Sequence, residues 1–128
     1  MNYYFSTILD TTYENAVEMA TEALKKEGFG VLTSIDIKEK FKEKLDVDFR
    51  PYIILGACSP SHAYKALQSE DKVGTMLPCN VIVQETEEHK IEVAAVNPLE
   101  SMKAIENPGL EEIALDVQDR LKRVIASL

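Results

Sequence analysis

Tyr52-Ile53-Ile54-Leu55-Gly56-Ala57-Cys58-Ser59-Pro60 and, further along, Leu77-Pro78-Cys79-Asn80-Val81-Ile82-Val83 are the stretches that decide how this chain folds. The first reads as a strand from Tyr52 to Cys58, apolar on both faces and therefore covered on both. Ser59 then caps a helix with Pro60 at its first position, where a missing N–H costs nothing, and the helix runs to about Gln68. Glu70 to Gly74 connects to a strand from Met76 to Glu85. If the helix makes a regular crossover, the two strands are parallel and Cys58 and Cys79 lie at opposite ends of the sheet. If the strands are antiparallel with the helix inserted in their connection, both cysteines reach the same rim. The strand–helix–strand order by itself favours the crossover.

Outward from this pair the chain alternates simple elements. Tyr3 to Leu9 alternates β-branched and aromatic residues as a strand does. Thr11 and Glu14 have capping-box spacing, and Tyr13, Ala16, Val17, Ala20, Ala23 and Leu24 form one helical stripe that Gly28 stops. Phe29 to Ile35 is a second strand. Asp36 and Glu39 start a short helix with Ile37, Phe41 and Leu45 on one side. Lys90 to Val96 follows Met76–Glu85 through a polar turn. Pro98 opens a short helix, and Leu110, Ile113, Ala114, Val117, Leu121, Val124, Ile125 and Leu128 mark a long terminal one. The pattern predicts a single α+β domain, residues 1–128, with one sheet of about five strands. Phe5, Val31, Ile53, Leu55, Val81, Val83, Ile91 and Val93 would face inward. Tyr4, Ile8, Leu32, Tyr52, Ile54 and Ile82 fall on the opposite face, which a homodimer or the short helices would cover.

Composition narrows the function. Of 128 residues, 45% are apolar and 28% charged, as in an ordinary globular domain, and the net charge is -8. An acidic chain with no basic stripe opposes nucleic acid and anionic membrane. The N-terminus lacks the basic and apolar regions of a signal peptide, and no run approaches a membrane span. Two cysteines in such a chain predict reduced thiols and a cytoplasmic location. The scattered glycines make no phosphate loop, and no G-x-S-x-G elbow or H-E-x-x-H helix occurs.

The two cysteine phrases, the helix Ala63-Tyr64-Lys65-Ala66-Leu67, the strand Val81-Ile82-Val83-Gln84-Glu85 and Asn97-Pro98 resemble the domain-of-unknown-function 302 family of small bacterial and archaeal proteins. That resemblance implies a mostly antiparallel sheet with helices packed mainly on one face, and a tendency to dimerise. It favours the same-rim arrangement of Cys58 and Cys79. It implies no established activity.

The chemistry-bearing residues gather around the same phrases. Cys58 precedes the helix cap, where unpaired N–H groups favour a thiolate, and His62 four positions on could face its sulfur. Its plain reading is a small packing residue, since free cysteine is often buried. Cys79 could be a resolving thiol, a metal ligand or part of a small-ligand pocket with Asn80; its plain reading is space-filling beside a turn. Cys58, His62 and Cys79 supply three soft metal ligands, but structural zinc takes four, so Glu85, His89 or a dimer mate would have to complete the set. No C-x-x-C element supports this, and no cofactor or metal is expected. His89 reads as a solvated turn residue, and Tyr4, Tyr52 and Tyr64 as core or interface. The leading expectation is a homodimeric binding domain holding a small molecule, a metal ion or a protein partner at the rim of Cys58, His62, Cys79 and Asn80. The alternatives are a thiol enzyme or redox sensor with Cys58 as nucleophile, and a structural interaction domain.

Overall fold

The computed structural model describes residues 2–128. The elements are β1 (Tyr4–Leu9), α1 (Tyr13–Lys26), β2 (Gly30–Asp36), α2 (Ile37–Leu45), β3 (Tyr52–Cys58), α3 (Pro60–Ser69), β4 (Cys79–Glu85), β5 (Ile91–Val96), α4 (Pro98–Ser101) and α5 (Pro108–Ala126), with a 3-10 turn over Asp71–Met76. β3 and β4 pair antiparallel, with Tyr52 opposite Gln84 and Ala57 opposite Cys79. The chain that leaves β3 thus re-enters the sheet at the same end, and α3 is an insertion, not a crossover. Every other pairing is antiparallel too, in the order β1-β5-β4-β3-β2.

Strand periodicity sorts the two faces as the sequence predicts. Leu55, Val81, Val83, Ile91 and Val93 are buried in the main core, and Phe5, Val31 and Ile53 pack against it. α1 and α5 cover this face, contributing Ala16, Ala20, Leu24, Leu121 and Val124. Withdrawing each of the larger aliphatic side chains from water is worth roughly 1.5–3 kcal/mol, which explains why these stripes outweigh local preferences. On the opposite face Tyr4, Ile8 and Leu32 are exposed, and Phe41 of α2 meets Phe49 of the following loop edge-on, Phe49 in turn lying tilted against Tyr52.

Two local devices shape the rim. Between Val31 and Thr33 the register of β2 against β3 slips by one residue, a bulge that sets Thr33 opposite Gly56. Gly56 has no room for a side chain: a Cβ there would lie 2.3 Å from Thr33 Oγ1 and 2.8 Å from Pro78 Cγ. At the same rim, just past the end of β5, the buried Asn97 caps α4 by accepting from the Leu99 N–H at 3.2 Å. It also accepts from Gln118 Nε2 of α5 at 3.1 Å and donates to the Asn2 carbonyl, tying three segments together.

The caps differ in detail from the sequence reading. Asp36 does cap α2, accepting from the Glu39 N–H. The cap of α1 falls on Thr12, not Thr11, because Thr12 reaches the Asn15 N–H while Thr11 Oγ1 takes the Asn15 side-chain amide. Ser59 occupies the cap position of α3 but makes no capping hydrogen bond. Among the described residues, no helix is long and apolar enough to cross a membrane.

Candidate functional site

The Ser59 hydroxyl does not cap α3 because it is engaged elsewhere. It lies 2.6 Å from Nδ1 of His62, one helical turn on. Nε2 of the same ring bonds to Oδ2 of Asp116 on α5. A carboxylate only accepts, so the Nε2 proton points to Asp116, and in the neutral form of the ring Nδ1 accepts from the Ser59 hydroxyl. The hydrogen bond from His62, with Arg120 adding to it, holds the Asp116 carboxyl below its ordinary range. Arg120 Nε stands 3.4 Å from the same carboxylate oxygen, and its Nη1 donates to the Glu27 carbonyl just after α1. A continuous polar chain therefore runs from α3 across α5 to the end of α1.

Beneath this chain, between the β3–β4 end, α3 and α5, lies a cavity of about 40 Å³. Cys58, Ser59 and His62 form part of its wall, and Cys79, Ala66 and Ala114 are among the apolar side chains that complete it. Cys79 is buried, and that burial, helped by the charge of neighbouring Cys58, pushes its thiol up to about 11. It is therefore a neutral thiol at ordinary pH. Leu77-Pro78, whose peptide bond is cis, closes the rim immediately before it.

The antiparallel pairing places Cys58, His62 and Cys79 around one cavity. It separates Asn80 from them: successive strand residues point to opposite faces, so Asn80 is exposed on the open face. There it lines a groove with Tyr4, Arg50 and Tyr52. His62 is also partnered differently from expectation. Its ring nitrogens meet Ser59 and Asp116 and not Cys58, because the cap and third helical positions share a turn whereas Cys58 precedes the helix. Among the described residues no three His, Cys, Asp or Glu side chains converge as metal ligands. Glu85 ends β4 far along the strand from Cys79, and the exposed His89 stands 3.8 Å from it in the following turn. Tyr64 is exposed.

Asp116 and Arg120 are the site residues that sequence reasoning missed. Asp116 is one of 22 acidic residues and lies 54 positions from His62, so no spacing or motif could single it out. Ser59 was legible as a cap, but not as the partner of His62.

No curated protein matches the chain. The family model of a domain of unknown function, DUF302, matches residues 5–128. The crystal structure of an uncharacterised conserved DUF302 protein from Bacillus stearothermophilus is similar over 98% of each chain, with 31% identity and a TM-score of 0.90. A model match over nearly the whole chain, together with that shared architecture, makes this protein a member of the DUF302 family.

Proposed function

We propose that this domain binds a small organic ligand at the rim of Cys58, Ser59, His62 and Cys79, its apolar end in the cavity and its polar end at the Ser59–His62 pair. One observation carries the reading: an apolar cavity of about 40 Å³ has a hydrogen-bonded polar wall on one side. Ligand sites combine apolar lining with a few fixed polar groups in this way. The cavity is small, with room for roughly two or three methyl-sized groups, so the ligand enters by a short apolar end. The thiol-enzyme reading has less support, because Cys79 is held neutral and His62 is committed to other partners.

Titrating 1-propanol while recording amide NMR spectra tests the proposal. Saturable shifts should centre on Ala57, His62, Ala66 and Cys79, and should vanish in Ala114→Val, which narrows the cavity. Shifts spread evenly over the surface would overturn it.

The same reading includes a homodimer through the open sheet face. Tyr4, Ile8 and Leu32 are exposed there, and the groove carries both Arg50 and Glu92, so a second copy related by a two-fold axis could match apolar to apolar and cation to anion. Sedimentation equilibrium should give a dimer that Leu32→Asp converts to a monomer; a native monomer at high concentration would refute it. Two free cysteines suit a reducing, cytoplasmic setting.

A further inference from the structure

We infer that Ser59, His62 and Asp116 form an acyl-transfer site for short-chain carboxylic esters, with Ser59 as nucleophile, His62 as base and Asp116 as positioning residue. The inference rests on the cavity being a ligand site, and assigns that ligand a chemistry. A serine, a histidine and a carboxylate in hydrogen-bonded series are the arrangement that activates a hydroxyl. Here Nδ1 faces the hydroxyl and Nε2 the carboxylate, the reverse of the commoner orientation. Either imidazole nitrogen can accept the proton while the other donates, so the chemistry is preserved.

Three observations favour a reactive role over a packing one. Ser59 is only 8% exposed and borders the cavity, so an acyl group seated there would meet its hydroxyl. The hydroxyl forgoes the capping bond that its position at the head of α3 offers. At 2.6 Å from Nδ1, it is within the range in which a base removes a proton.

The steps balance without any cofactor. Ser59 Oγ attacks the ester carbonyl carbon, forming a C–O bond while its proton passes to His62 Nδ1, and Asp116 holds the resulting imidazolium through Nε2. The oxyanion collapses, the ester C–O bond breaks, and the leaving alcohol takes the proton from Nδ1. Water then attacks the acyl-serine carbon, giving its proton to Nδ1, and Ser59 departs with that proton as the acid is released. Because Ser59 does not cap the helix and Pro60 has no N–H, the first-turn N–H groups of Ser61 and His62 are the nearby donors for the oxyanion.

The test is p-nitrophenyl acetate with the full chain, following p-nitrophenolate release and mapping the acetyl group by mass spectrometry. A stoichiometric burst should leave acetyl on Ser59, and Ser59→Ala should abolish the burst. Asp116→Asn, at a half-exposed position that spares the core, should slow acylation at saturation at least about tenfold with the half-saturating concentration unchanged. Asp116→Glu should recover part of the rate, which a merely structural role would not produce. Acetyl found only on lysines or cysteines, or Asp116→Asn acylating at the native rate, would overturn the inference. The 1-propanol titration separates the two claims. Localised shifts without acetylation would sink acyl transfer and leave the binding reading standing, whereas loss of both would remove both.

Discussion

Replacing Gly56 with alanine probes the point where β2, β3 and the cavity rim meet. The new Cβ would lie 2.3 Å from Thr33 Oγ1 and 2.8 Å from Pro78 Cγ, where ordinary contact begins at 3.4 Å. Neither neighbour yields easily: Thr33 is β-branched and stiff about its first torsion, and the Pro78 ring is rigid. Overpacking typically costs about 1–3 kcal/mol, and two collisions from opposite sides put Gly56→Ala near 2–3 kcal/mol. With a urea slope of roughly 2 kcal/mol per molar, the unfolding midpoint should fall by about 1 M. Thr33→Ala removes the closer obstacle but not Pro78, so the double variant should recover about half of the loss, giving a coupling energy near 1 kcal/mol. The strain also reaches Pro78, the residue before Cys79, so the single variant should alkylate faster at the Cys79 thiol with iodoacetamide. A midpoint unchanged within about 0.2 M, or no recovery in the double variant, would refute the steric account.

Asn97→Ala should cost about 2–4 kcal/mol in thermal unfolding, from a lost cap on α4 and a buried Gln118 amide left without its partner. A loss below about 0.5 kcal/mol would show that neither bond matters. The folded Cys79 thiol sits at about 11 against an ordinary 9.0, so its contribution is intact below pH 9 and is lost as pH rises towards 11. Stability should drop by about 1.4 kcal/mol by pH 10, a slope that urea unfolding of Cys79→Ala should lack. For Asp116 the sign is opposite: its lowered value makes its contribution full above about pH 4 and lost on further acidification. The stability gap between native protein and Asp116→Asn should therefore shrink on acidification below about pH 4, and a gap that does not shrink at all would contradict the His62 pairing. In hydrogen exchange, α3 amides should open at lower free energy than those of β4, since α3 buries Ala66 alone while β4 buries Cys79, Val81 and Val83 and is paired on both sides. Equal protection in both would count against a separable α3.

The sheet was legible because its signal is local and repeated. Period-two alternation put Phe5, Val31, Ile53, Leu55, Val81, Val83, Ile91 and Val93 on one face, and packing by α1 and α5 then forces that face inward. The direction of β4 against β3 was not local information. It depends on where α3 packs, and α3 packs on α5, whose residues come last in the chain. The same alternation could have warned that adjacent Cys79 and Asn80 face apart. Ser59, His62 and Cys58 were separated by a finer choice, in which a hydroxyl within the helical turn competes better for the ring than a thiol outside it.

This division has a consequence for how the site can work. The strands that carry Cys58 and Cys79 belong to the continuous core of valines and alanines, whereas α3 is secured by the smaller cluster of Ala66, Val73 and Leu110 and by the His62–Asp116 bond. Under the proposed binding reading, a ligand would gain entry by displacing α3 from α5 without breaking a strand pair. Two polar links join the inserted helix to α5: the His62–Asp116 bond at its head, and the Asn107 side-chain amide that donates to the Ser69 carbonyl at its tail; Arg120 in turn anchors Asp116 to the end of α1. If the proposed acyl-transfer reading holds, the polar chain would be latch and reactive group at once: a molecule that competes for His62 would open the cavity and lie beside Ser59.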